Sequence, residues 1–208
     1  MFIRDSSPVI VNCTFVGNAA GFINIMPHLG GGVYCENSAP VFVDCLFARN
    51  SAETAGGGMY CESSSPAIIN CTFSHNSSPS GAAIFWHGGG TPAMLAATVV
   101  AFNSGGEGIG SLDYPGSPTL FCFDIYGNAG GDWVGFIAGQ ADVNGNFSLD
   151  PQFCDVTSDN YTLKQCSPCA PGNQPHDWNC GLIGALPVGC VGTTVIPTTW
   201  GRIKGIFR

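Results

Sequence analysis

Two stretches of this chain are close copies of each other, GGGVYCENSAPVFVDC from Gly30 to Cys45 and GGGMYCESSSPAIINC from Gly56 to Cys71, starting 26 positions apart. The copying extends further. Aligned on proline, PVIVNCTFVGN from Pro8, PVFVDCLFARN from Pro40, PAIINCTFSHN from Pro66, PAMLAATVVAFN from Pro92 and PTLFCFDIYGN from Pro118 follow at intervals of 32, 26, 26 and 26 residues. A fixed period of this length is the signature of a solenoid, whose units are too small to bury an apolar face alone and do so only against their neighbours. Within a unit apolar and polar residues alternate, so Val11, Cys13 and Phe15 are expected to point one way and Asn12 and Thr14 the other, as in a strand. The opening stretches, VYCE at Val33, MYCE at Met59, IFWH at Ile84 and IGSL at Ile109, supply a second strand. Two or three short strands per turn then stack in parallel sheets, with equivalent residues about 4.8 Å apart.

Stacking turns each repeated residue into a column. Cys13, Cys45 and Cys71 are expected to form one interior column and Cys35 and Cys61 another. Asn18, Asn50, Asn76, Asn103 and Asn128 end their strands and are placed to share side-chain amide hydrogen bonds along a turn. If Val33 and Cys35 face inward, two columns face outward: Phe2, Tyr34, Tyr60 and Phe85, beside Arg4, Glu36, Glu62 and His87. Aromatic faces stack on sugar rings, and carboxylates one rung apart raise each other's proton affinity, as acid–base sites on glycans require. The plainer reading is an aromatic ladder under the loop GFINIMPHL, flanked by ion pairs from Arg4 to Glu36 and from Glu62 to His87.

These repeats, with NCTF and a following Asn as their signature, resemble the right-handed parallel β-helix of the pectate-lyase-like superfamily. The resemblance implies an all-β, single-stranded right-handed parallel β-helix over residues 1–150, with about five coils of roughly 26 residues. DPQF from Asp150, YTLKQCSPCAPGN and GLIGAL resemble the closing coil of bacterial surface β-helix proteins, which implies an irregular Cys-rich cap over 151–190. The segment 191–208 is then a capping or sorting tail, with Trp200, Ile203, Ile206 and Phe207 interleaved among Arg202, Lys204 and Arg208. In this register the chain starts in mid-strand, so the expectation is a piece of a longer protein whose upstream coils, and a signal peptide, precede it.

The polysaccharide-degrading members of that superfamily carry active-site runs that are largely missing here. Of the polygalacturonase motifs only Arg202-Ile203-Lys204 occurs, after the end motif, and Asp44, Asp113 and Asp124 share no column in which calcium could be held as in a pectate lyase. HGGG from His87 resembles an esterase oxyanion loop, but no Gly-x-Ser-x-Gly elbow accompanies it, and it reads as a turn.

Composition sets the outer limits. Only 10% of residues are charged against 30 Gly and 14 Pro, a balance that suits short strands and tight turns over amphipathic helices. With a net charge of -8 and six Lys and Arg in all, nucleic acid is not an expected partner. No run of 18 apolar residues exists to span a bilayer. Eleven Cys and five Asn-x-Ser/Thr sites, at Asn12, Asn70, Asn76, Asn146 and Asn160, point to an extracellular or cell-surface setting. There, Cys154, Cys166, Cys169, Cys180 and Cys190 are expected to form disulfides in the final turn; with His176 they are also of the types zinc uses, but at spacings that match no familiar finger. No cofactor is expected.

Two functions fit these residues. One is a non-catalytic secreted or surface module with a structural role or binding a polysaccharide or cell-envelope component, Tyr34, Tyr60 and Phe85 being its candidate contacts. The alternative is a carbohydrate-active enzyme, a polysaccharide lyase or glycoside hydrolase, using Glu36, Glu62 and His87.

Overall fold

The computed structural model describes residues 1–21, 28–89, 94–113 and 118–190; the tail 191–208, Gly90 of the HGGG turn and most of the loop after Gly21 lie outside the described residues. The chain winds as a right-handed parallel β-solenoid of about six turns. Each full coil carries four short strands rather than two or three. Sheet A stacks Phe2–Arg4, Val33–Glu36, Met59–Glu62, Ile84–His87 and Ile109–Leu112. Sheet B stacks Val9–Val11, Val41–Val43, Ala67–Ile69, Met94–Ala96 and Leu120–Phe121. Sheet C stacks Thr14–Val16, Leu46–Ala48, Thr72–Ser74, Val99–Ala101 and Asp124–Tyr126, and the two-residue strands of sheet D run from Ala19–Ala20 to Ser104–Gly105. The expected single strand through Val11, Cys13 and Phe15 is therefore two strands. Asn12 stands between them in the left-handed region at φ 52°, as do Asp44, Asn70, Ala97 and Cys122 in the same column. That corner resets the alternation, so Ile10, not Val11, faces the core, and Val11 is half exposed.

The core is built of columns. Ile10, Phe42, Ile68, Leu95 and Leu120 line it from sheet B, while Phe15, Phe47 and Phe73 stack from sheet C with ring centroids 4.8 and 4.3 Å apart. Cys35 and Cys61 are register partners inside it, and Cys45 and Cys71 sit fully buried at the B–C corner; Cys13, in the first rung of that column, is exposed. The proline alignment slips at the fourth coil, where Ile68 pairs with Leu95 and Leu95 with Leu120, a rise of 27 residues followed by 25.

The asparagine column forms as expected, and it is directional. Asn18, Asn50, Asn76 and Asn103 each donate from Nδ2 to Oδ1 of the next at 2.8–3.0 Å, and each Oδ1 so used also accepts the preceding backbone N–H. Asn128 then donates to Asp132, four residues on, whose carboxylate also accepts the Gly127 and Asn128 amides. Aligned amide dipoles thus run into a fixed negative charge, as a helix N-terminus runs into an acidic residue. Asn76 is buried in this column and Asn146 against the carbonyls of Leu120 and Gln140, which removes two of the five sequons as glycosylation acceptors.

The triple glycines have a steric cause. A Cβ on Gly31 meets the carbonyl oxygens of Gly57 and Ser51 at 2.4 Å, backbone atoms that have no room to yield. Gly31→Ala is expected to destabilise the fold by about 2–4 kcal/mol, read as a lowered urea midpoint at unchanged slope.

Residues 151–190, expected as a closing coil, lie along the outer face of sheet C. Phe153, Tyr161, Leu163, Ile183 and Ala185 pack there on Leu46, Ala48, Val99 and Ala101. The segment is pinned by Ala185 N–H on Thr72 Oγ1 at 2.9 Å, Gly184 N–H on Ala97 O at 2.8 Å and Arg49 on Asp159 at 2.8 Å. The last coil is instead closed by the 3-10 turn Gly135–Gln140, which buries Ile137 in the main core and sets Phe136 edge-on to Trp86.

Candidate functional site

Two surfaces concentrate polar chemistry. The first is the outer face of sheet A, where register brings Tyr34, Tyr60 and Phe85 together in one column and Glu36, Glu62 and His87 in the next. The rings stack at centroid distances of 5.4 and 5.6 Å, and Leu29 and Ala55 pack against them. Tyr60 is 4% and Phe85 8% exposed, so sugar rings reach only Phe2 and part of Tyr34.

The charged column beside it is engaged by its neighbours. Arg4 holds Glu36 at 2.7 Å. The expected Glu62–His87 ion pair is absent: Glu62 accepts the Tyr34 hydroxyl one rung back, and His87 Nδ1 bonds the Tyr60 hydroxyl at 2.9 Å. A phenol oxygen reaches diagonally across rungs, and it wins the acceptor from the residue in the same column. Burial, then the Glu62 carboxylate, pushes the Tyr60 hydroxyl up to about 12, and burial with the Glu62 hydrogen bond pushes Tyr34 up as well. Both phenols keep their protons at neutral pH; Tyr34 donates to Glu62 and Tyr60 shares a hydrogen bond with His87 Nδ1, so each holds one of the groups nominated for acid–base work.

The second surface is a groove of about 620 Å³ along sheet D. It exists because the strands there are two residues long and their outward side chains are small. Ser51 and Ser77, register partners one coil apart, line it, and Ser104 continues their column on the next rung beyond the lining. Ala52 and Pro79 supply apolar floor, and Glu53, on the rung between Gly21 and Pro79, has its carboxylate 3.6 Å from His28 Nε2. Sequence reading missed this groove. Its only trace was the run of small residues after each Asn of the ladder, too short to show a period.

The cysteines divide differently from expectation. Cys154 bonds Cys190 and Cys180 bonds Cys122, whereas Cys166 is an exposed free thiol and Cys169 a buried one. Cys169 is held away from the other sulfurs because its thiol donates to Asp124 Oδ2 at 3.1 Å beneath the docked segment. Cys122 carried a readable signal: it occupies the outward corner position of Asn12 and Asn70, while Phe123 fills the cysteine column. Among the interior thiols, Cys45 is the unusual one, its thiol held down to about 7 chiefly by the hydrogen bond from Cys71. Among the described residues no cluster of three or more His, Cys, Asp or Glu is arranged to hold a metal ion, and no helix is long and apolar enough to cross a membrane.

No curated protein and no solved structure matches the chain. The model of one family, described as right handed beta helix region, matches residues 1–104, half of the chain and the part that holds the first four sheet A strands and all of the groove lining but Gly105. The chain belongs to the right-handed β-helix family.

Proposed function

We propose that the protein is a non-catalytic module, secreted or displayed at a cell surface, that holds an extended polysaccharide or cell-envelope glycan in the sheet D groove. The observation that carries this reading is the pair Ser51 and Ser77 in the groove lining: hydroxyl-bearing residues one rung, about 4.8 Å, apart along an open groove suit a chain of hydroxylated rings lying parallel to the solenoid axis. The volume, about 620 Å³, is of ligand-site size. Glu53 and the net charge of -8 favour neutral or amino-sugar polymers over uronates. Two disulfides are consistent with an oxidising, extracellular compartment. Titration of neutral, amino-sugar and uronate oligosaccharides by calorimetry tests it. Ser77→Trp, which fills the groove from an outward position, is expected to weaken binding at least tenfold, while Arg4→Ala on sheet A leaves it unchanged. Equal affinity in Ser77→Trp defeats the groove assignment.

A second reading, a polysaccharide lyase or glycoside hydrolase, is favoured by one observation: Glu36 and Glu62 are register partners, one rung apart, with His87 on the next rung beyond Glu62. Reducing-sugar and unsaturated-product assays separate the two. Turnover that disappears in Glu62→Gln supports the enzyme; no turnover on any polymer that binds supports the module.

A further inference from the structure

Three cysteines and one aspartate gather where the docked segment covers the last strand of sheet C, and neither candidate surface uses them. Cys122 on the solenoid bonds Cys180 on the segment, and among the described residues this is the one covalent cross-link between the two layers; the other disulfide, Cys154–Cys190, lies within the segment. Cys169 is a fully buried free thiol that donates to Asp124 Oδ2 at 3.1 Å, and Asp124 follows Cys122 by two residues. Hydrogen bonds inside the segment draw Cys169 and Cys180 together. Gln174 Nε2 donates to Ala170 O at 2.7 Å and to Gly181 O at 2.9 Å, so the residue after Cys169 and the residue after Cys180 hang on one side-chain amide. Ile183 N–H donates to Cys169 O at 3.0 Å, which closes the loop between the two cysteines a second time.

A buried thiol near a disulfide, with a carboxyl already on its proton, has the parts of thiol–disulfide exchange: a nucleophile, a base and a leaving sulfur. We propose that Cys169 attacks Cys180 Sγ and displaces Cys122, which moves the cross-link inside the segment and leaves residues 151–190 docked on the solenoid without a covalent tie. The step balances without any added reagent. The Cys122–Cys180 bond breaks as the Cys169–Cys180 bond forms, Asp124 takes the Cys169 proton, and the departing Cys122 thiolate takes it from Asp124 in turn. One disulfide and one thiol stand on each side, so nothing is oxidised or reduced overall.

The same carboxyl holds the exchange back at lower pH. Burial, with the charges of Asp132 and Asp150 added, keeps Asp124 up to about 8, and burial with Asp124 and Asp150 pushes the Cys169 thiol up, against a hydrogen bond from Ser167. A protonated carboxyl accepts no further proton, so the exchange belongs to pH above about 8. Once the tie has moved, Gly184 and Ala185, whose amides bond Ala97 O and Thr72 Oγ1, open with the segment instead of with the whole fold.

Disulfide mapping tests this on the full chain in a Cys166→Ser background, which removes the exposed thiol. The protein is held under nitrogen at pH 6 and at pH 9, returned to pH 6, trapped with N-ethylmaleimide in urea and digested. At pH 6 Cys122–Cys180 should persist with Cys169 alkylated. At pH 9 Cys169–Cys180 should accumulate with Cys122 alkylated, and the Gly184 and Ala185 amides, followed at pH 6 before trapping, should exchange hydrogen at least tenfold faster than in untreated protein. Asp124→Asn should slow the change of pairing at pH 9 at least tenfold with an unchanged circular dichroism spectrum, and Cys169→Ser should abolish both effects. Cys122–Cys180 intact after days at pH 9 overturns the proposal. So does a new pairing through Cys45, Cys61 or Cys71, which reports an opened solenoid, an unchanged rate in Asp124→Asn, or faster Gly184 and Ala185 exchange that survives in Cys169→Ser. None of these outcomes bears on the groove, whose ligand is tested separately.

Discussion

Asn76→Ala is expected to cost about 4–6 kcal/mol, most of what a domain of this size has to lose. Asn76 is fully buried and makes four side-chain hydrogen bonds: its Oδ1 accepts from Asn50 N–H and Asn50 Nδ2 at 3.0 Å, and its Nδ2 donates to Phe47 O at 2.9 Å and Asn103 Oδ1 at 3.0 Å. Truncation leaves the Asn50 N–H and one proton of Asn50 Nδ2 without an acceptor and takes a donor from Phe47 O in a place water does not reach, while Asn103 Oδ1 keeps the Asn76 N–H; each orphan costs about 1–3 kcal/mol. The same change at Asn18, whose side chain is open to solvent on one side, should cost under about 1 kcal/mol, because water replaces what is removed. Asp132→Ala should fall between them, since the carboxylate both accepts three amides and neutralises the aligned dipoles of the column. Urea unfolding of the three variants measures the order. Equal losses at Asn18 and Asn76 would mean that the ladder acts as decoration on a fold held by its apolar columns alone.

The features that were legible in the sequence are those the solenoid repeats. A column needs the same residue type once per turn, so the asparagines and the VYCE–MYCE pair announced themselves by spacing alone. What escaped was whatever breaks period two or lies outside the repeat. The B–C corner takes one left-handed residue per coil, and that residue inverts the facing of everything before it; Asn12, Asp44 and Asn70, all tolerant of this conformation, were its trace. The inversion turns Val11 out of the core to half exposure and leaves Val43 and Ile69 half-buried on the outer side of sheet B. The charged column of sheet A was located correctly by register, yet its chemistry depends on which neighbour each group chooses, and a tyrosine hydroxyl reaching diagonally has no signature in a one-dimensional alignment. Docking of 151–190 along the side of the solenoid is a contact between irregular and repeated chain, for which no period exists.

That docked segment produces the second large effect, a loss of stability with rising pH. Asp124 lies under it, fully buried, accepting Leu149 N–H at 3.1 Å on Oδ1 and the Cys169 thiol on Oδ2. Burial outweighs both hydrogen bonds and pushes the carboxyl from 3.8 up to about 8. Between those two values the unfolded chain has released this proton and the folded chain keeps it. The stabilisation is therefore complete below pH 3.8 and is lost as pH rises through about 8, at up to about 1.4 kcal/mol per unit and several kcal/mol in all. His75, held low by burial and by Arg49, acts with the opposite slope at acid pH, since the folded chain resists its protonation. Asp124→Asn separates the two. The amide keeps an acceptor for Leu149 N–H, fits the same space and carries no titrating proton, while His75 is untouched. Urea midpoints at pH 5, 7 and 9 should show the wild type losing stability with pH and the variant holding level, the two curves crossing so that Asp124→Asn is the more stable at pH 9. Parallel curves would place the Asp124 carboxylate in water, and with it would go the close packing of residues 151–190 on sheet C.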